Sequence, residues 1–99
     1  MTTENKDLPV PVIVAPIINE PAHNPIHSWG TARVEEGTLV TVRKSGSDEV
    51  WLRARVSNSG EWSGIFSVDL PKGTHSIEAR LTLGNEHSAW SPVRQFVVG

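Results

Sequence analysis

Histidines, serines, a pair of adjacent glutamates and a tryptophan flanked by arginines are the residues of this 99-residue chain whose types could do chemistry. His23 and His27 stand four apart, the spacing at which a helix presents two metal ligands on one face. Pro25 lies between them and forbids that helix, so no metal site is expected. Ser63, Ser67, Ser76, Ser88 and Ser91 could supply a nucleophile. None of them sits in a nucleophile elbow, and no His–Asp pair stands close by in sequence. Glu35-Glu36 could be an acid–base pair, but neighbours in extended chain point apart, and Gly37 follows. A solvated turn is the expectation there. Trp51 alternates with Arg53 and Arg55, and Trp and Arg are the types enriched at binding hot spots. These three residues form the candidate binding surface. No catalytic constellation and no cofactor are expected.

Composition removes further classes. The chain has no cysteine, which excludes disulfides, thiol catalysis and a cysteine zinc site. Nine basic and eleven acidic side chains give a formal charge of −2, a poor basis for neutralising nucleic-acid phosphates. The longest apolar stretch, Val10 to Ile18, is broken by Pro11 and Pro16. It is about half of the ~20 residues that a spanning helix needs, so no membrane insertion is expected. The polar, acidic N-terminus lacks the basic start of a secretory signal. Lack of cysteine fits the cytosol and fits a surface module equally. The length is that of one domain, and 37% apolar with 20% charged residues is ordinary for one that folds. Four tryptophans among six aromatics supply bulk for a small core.

The elements that must position these residues read as strands. Five of the seven prolines fall in the first 25 residues, so 1–15 reads as a flexible polar and proline-rich leader, extended over Leu8–Ala15. From Pro16 the apolar period is two rather than 3.6, and no substantial helix is expected. Strands are predicted at Ile17–Glu20, Ser28–Val34, Thr38–Lys44, Glu49–Ser57, Trp62–Leu70, Thr74–Leu83 and Val93–Val98. Parity puts Val50, Leu52, Ala54 and Val56 on one face and Trp51, Arg53 and Arg55 on the other. It also puts Trp62, Phe66, Val68 and Leu70 together, and Ile77, Ala79, Leu81 and Leu83 together. Glycine-centred turns between such strands require antiparallel pairing. Two amphipathic sheets then bury their apolar faces on each other. The expected fold is all-β: a two-sheet antiparallel β-sandwich of about seven strands over 16–99. His75 lies on the inward parity of its strand. Its N–H should reach a loop carbonyl, where many sandwiches use a tyrosine.

Within this pattern, Pro16-Ile-Ile-Asn-Glu-Pro21, Gly30-Thr-Ala32, Gly37-Thr-Leu-Val-Thr-Val42, Gly60-Glu-Trp-Ser63, Leu70 to Arg80, and Gly84-Asn85 followed by Ser88-Ala-Trp-Ser91 and Phe96-Val-Val98 occur in order. Together they resemble the bacterial immunoglobulin-like (Big-type) domain, over about residues 16–99. His75 to Arg80 and Ser88 to Ser91 also resemble the last two strands of a fibronectin type III domain. Either resemblance implies an immunoglobulin-like module without catalysis. It would act as structural spacer or adhesion unit of a bacterial surface or secreted protein, with a cytoplasmic place left open. Its partners would be neighbouring modules of a larger chain, or a protein or glycan surface, and it would be a monomer in isolation. Calcium-binding members carry acidic end loops. Leu83-Gly-Asn-Glu86 has one carboxylate, too few for a cation that takes six to eight oxygens.

The expected structural core is Trp29, Trp62, Phe66, Ile77, Leu81, Trp90 and Phe96. Trp29 sits where the family often has an apolar residue. Trp90 packs across the last turn, or stacks on Arg80 if the fibronectin-like comparison holds. Trp51 points outward with Arg53 and Arg55, either as a cation–π cover or as a surface that recognises protein or carbohydrate. A sugar platform normally wants further aromatics and carboxylates or amides beside the indole.

Overall fold

Among the described residues, alternation of apolar and polar residues along short segments gives nine strands and no helix. The computed structural model describes residues 3–4, by their backbone pairing, together with 8–18 and 20–99. The strands are β1 (Thr3–Glu4), β2 (Val12–Ala15), β3 (His27–Thr31), β4 (Leu39–Lys44), β5 (Val50–Arg55), β6 (Glu61–Ile65), β7 (Gly73–Leu83), β8 (Glu86–His87) and β9 (Arg94–Val98). The smaller sheet has the order β2-β3-β6. The larger runs β1-β8-β7-β4-β5, with β9 also paired to β7. The long strand β7 serves two partners on one edge: Gly73–Ile77 pairs with β9, and Thr82–Leu83 with β8. All strand pairs are antiparallel except the two-residue match of β1 with β8. The fold is the β-sandwich that the alternation predicts.

The core lies between the sheets. Val40, Val42, Ile77, Ala79 and Leu81 are fully buried, and Trp62, Phe66 and Phe96 join them. Gly30 makes room for Trp62. A Cβ there would stand 1.8 Å from the Val12 carbonyl oxygen and 2.7 Å from Cζ2 of Trp62. The Trp62 indole N–H donates to the Thr31 carbonyl at 3.3 Å, which removes the cost of burying it. Asn24 ties a loop to the far end of the sandwich, its side-chain amide donating to and accepting from the Leu70 backbone at 2.8 and 2.9 Å.

Several placements differ from the expectations. The first strand of the smaller sheet is Val12–Ala15, not Ile17–Glu20. It lies within the segment read as leader, with Ile13 and Ala15 buried. Pro11 and Pro16 bracket this strand, and a residue without an N–H is tolerated at a strand's ends. The remaining leader residues, 1–2 and 5–7, lie outside the described residues, as does Asn19. The next edge contact comes at Ala22, whose N–H donates to the Val97 carbonyl while its own carbonyl accepts from Gly99. β6 stops at Ile65, and Val68 is exposed. Leu83 is exposed at the end of β7.

The tryptophans change places. Trp51, expected outward, is 3% exposed, whereas Trp29, expected in the core, is 40% exposed. The cause for Trp51 is a β-bulge. Val42 pairs with Leu52 and Arg43 with Val50, so Trp51 is the extra residue on β5. A bulge breaks strict alternation and re-aims a side chain. Trp51 and Leu52 therefore both point inward, and Val50 turns outward with Arg43. The Trp51 ring packs 5.6 Å from Phe66 and 6.4 Å from His75, and its N–H donates to the Glu49 carboxylate. Trp29 is outward because Ser28 and Gly30 take the inward parity of β3. Trp90 is half-buried on the outer face of the larger sheet, not in the core.

The two placements predict opposite sensitivities. Trp51→Ala should lower unfolding free energy by about 3–5 kcal/mol, the usual cost of emptying a core tryptophan site. Trp29→Ala should stay within about 0.5 kcal/mol of the parent, as surface changes do. Urea denaturation of the two variants measures both, and equal losses would contradict the bulge.

Candidate functional site

Of the serines and histidines that could do chemistry, Ser88, Ser91 and His75 are built into the sandwich, whereas Ser63, Ser67, His23 and His27 are exposed. Ser88 and Ser91 lie buried between β8 and β9, along the free edge of β7. The Ser88 N–H donates to the Leu81 carbonyl at 2.8 Å, and its hydroxyl accepts from the Leu81 N–H at 2.9 Å. Ser91 does the same with Ala79, at 2.7 and 3.0 Å. The two hydroxyls thus complete the ladder where strand geometry lapses. His75, half-buried at the start of β7, bonds the Pro71 carbonyl through Nε2 at 2.8 Å, as expected of an inward ring at that corner. Arg94 of β9 donates to the carbonyls of Ile13, Val14 and Pro16 at 2.7, 3.2 and 2.9 Å and so ties β2 to the other sheet. Hydrogen bonds from a charged donor stabilise by about 1.5–3 kcal/mol each.

Two residues, Ala89 and Trp90, oppose the single residue Arg80 between these serine anchors. That surplus lifts Trp90 onto the outer face of the larger sheet. The Arg43 guanidinium lies 3.7 Å from the Trp90 ring centroid and that of Arg80 lies 4.6 Å from it, both within cation–π range. Pairing registers set the rest of this face in rows. Glu78, Arg43 and Val50 form one, Arg80, Thr41 and Arg53 the next, and Thr82, Leu39 and Arg55 a third. In the first row Glu78 holds Arg43 at 2.6 and 2.7 Å, and Asp48 stands 3.8 Å from it. In the second, the Nε of Arg80 is buried without a hydrogen-bond partner among the described residues. Burial, and then the charge of Arg43, push the pKa of Arg80 below the usual guanidinium range. A groove of about 300 Å³ runs across the rows between Trp90 and Arg53.

The three residues of the candidate binding surface are therefore separated. Trp51 is in the core, while Arg53 and Arg55 are exposed on the outer face. Arg53 shares a groove with an aromatic all the same, but it is Trp90, delivered by a different strand edge. Ser88-Ala-Trp-Ser91 and the outward parity of Arg80 were the sequence signals for it. Arg43 carried no signal, because its contact with Trp90 depends on the β4–β7 register.

A second groove, also about 300 Å³, lies on the smaller sheet between the prolines Pro16, Pro21 and Pro25, with His23, His27 and Trp29. The His27 and Trp29 rings are 4.9 Å apart on the outward face of β3. His23 bonds the Gly99 carbonyl through Nδ1 at 3.2 Å. Glu35 and Glu36 are exposed beside Gly37, whose φ of 90° makes the turn. Among the described residues no three His, Asp or Glu side chains come together as a metal site would need.

No family model matches the chain, and neither the curated proteins nor the solved structures searched contain a match.

The serine anchors give a direct test of their role. Ser88→Ala and Ser91→Ala should each cost about 1–3 kcal/mol, because each leaves a buried β7 N–H unsatisfied. Thermal unfolding followed by circular dichroism reads the loss, and unchanged midpoints would mean that the hydroxyls do not close the ladder.

Proposed function

We propose that the chain is a non-catalytic immunoglobulin-like module that acts as a structural spacer or adhesion unit of a bacterial surface or secreted protein. The observation that carries this reading is the use of the polar side chains. His75, Ser88, Ser91 and Arg94, the types from which a site is built, each close a backbone hydrogen bond of the sandwich. The strand order supports the fibronectin type III-like side of the resemblance. β5 pairs with β4 in the larger sheet, whereas constant-type immunoglobulin domains put their fourth strand in the opposite sheet.

A second reading, recognition of a protein or carbohydrate, is favoured by one feature: the exposed Trp29 indole beside His27 in a concave groove. This moves the recognition surface from Trp51 to the smaller sheet.

An exchange experiment separates the two. Residues 8–99 are replaced, in the surface protein that carries them, by an unrelated sandwich of similar length. Unchanged adhesion of cells displaying the hybrid is the outcome expected of a spacer. Loss of adhesion that Trp29→Ala does not reproduce would mark an adhesion unit acting through another surface, and loss that Trp29→Ala does reproduce in the otherwise native protein would instead establish recognition at the smaller sheet.

A further inference from the structure

Among the described residues, three arginines on the outer face of the larger sheet, Arg53, Arg55 and Arg80, have no carboxylate that neutralises them. Arg43 is answered by Glu78 and Asp48. Among the described residues, neither Arg53 nor Arg80 has a carboxylate within ion-pair distance. These two arginines occupy one row on either side of Thr41. Neighbouring strands are about 4.8 Å apart, so the Cα atoms of Arg80 and Arg53 stand roughly 10 Å apart across a small residue. That leaves a trough floored by Thr41 and walled by Trp90, part of the 300 Å³ groove. Trp90 restrains Arg80 from one side. The Nε of Arg80 is buried without a hydrogen-bond partner among the described residues.

We propose that this trough is a binding site for a single oxyanion, a carboxylate or sulfate group held between Arg80 and Arg53. The guanidinium fork suits such planar or tetrahedral oxygen sets, which it binds through paired N–H donors. An anion there would offset the repulsion among the guanidiniums; burial, and then the charge of Arg43, already lower the Arg80 pKa. Asp48, which lines the far end of the groove, limits the site to one anionic group and disfavours a polyanion. The inference stands apart from the spacer reading, since a spacer with or without such a site has the same fold.

Titration of the intact chain followed by ¹H–¹⁵N NMR tests it. The reporters are the Trp90 indole N–H and the Arg80 Nε–H. The probes are sodium sulfate, N-acetyl-glutamate and glucuronate, with sodium chloride at matched ionic strength as control. The expected result is a saturable shift confined to these reporters and absent with chloride. Whichever of the three anions binds tightest identifies the source of the group. R53Q, an exposed change that leaves the fold intact, should weaken binding at least tenfold. R55Q, in the next row, should change it less than twofold. R80Q should also abolish binding, and retained spectral dispersion would show that it still folds. An equal response to chloride, an absence of saturation, or equal losses in R53Q and R55Q would each overturn the proposal.

Discussion

One surplus residue on β5 governs how this sandwich is filled. Val42 faces Leu52 and Arg43 faces Val50, so the chain must accommodate Trp51 without a partner. A strand that kept strict alternation would leave the indole in water beside Arg53. The bulge turns it inward, where it meets Phe66 and His75 and gives up its N–H to Glu49. The same shift reverses Val50, which joins Arg43 on the outside. Core filling and surface charge pattern are thus consequences of one irregularity. In a domain this small, without a disulfide, an indole's burial is a large fraction of the stabilising area.

The opposite edge of the sheet uses a related device. Ser88 and Ser91 anchor to Leu81 and Ala79, and the two residues between them face only Arg80. Here the extra residue pushes an indole outward. Trp90 then lies against two guanidiniums and covers the middle of an exposed sheet face. Arg94, next along the chain, reaches across to the carbonyls of β2. The segment from Ser88 to Arg94 therefore seals an edge, shields a face and joins the two sheets. It does this with polar side chains, because the groups to be satisfied are backbone N–H and C=O.

Much of this architecture was legible in the residues. Alternation in β4 and β7 and glycine-bearing turns indicated antiparallel sheets, and Ile77, Ala79, Leu81 and Phe96 are buried as their parity requires. His75 and its loop carbonyl were legible too, because inward parity and proximity along the chain define that contact. Parity along β5 misplaced Trp51, because parity assumes an unbroken ladder. It misplaced Val68, which lies beyond the end of β6, and Leu83, which ends β7 opposite the two-residue strand β8 and stays exposed. The proline count hid β2, since Pro11 and Pro16 bracket a strand rather than forming a linker.

The sequence by itself determined the period of the strands, the turns between them and hence an all-β sandwich. Those are properties of a residue and its near neighbours, expressed before any long-range contact forms. Which tryptophan is core and which is surface was decided only in the tertiary structure. That choice depends on how many residues each strand spends between hydrogen-bonded pairs, and both members of each pair are needed to count them. The candidate site follows the same rule: Arg80, Thr41 and Arg53 come from three strands and become neighbours only through register.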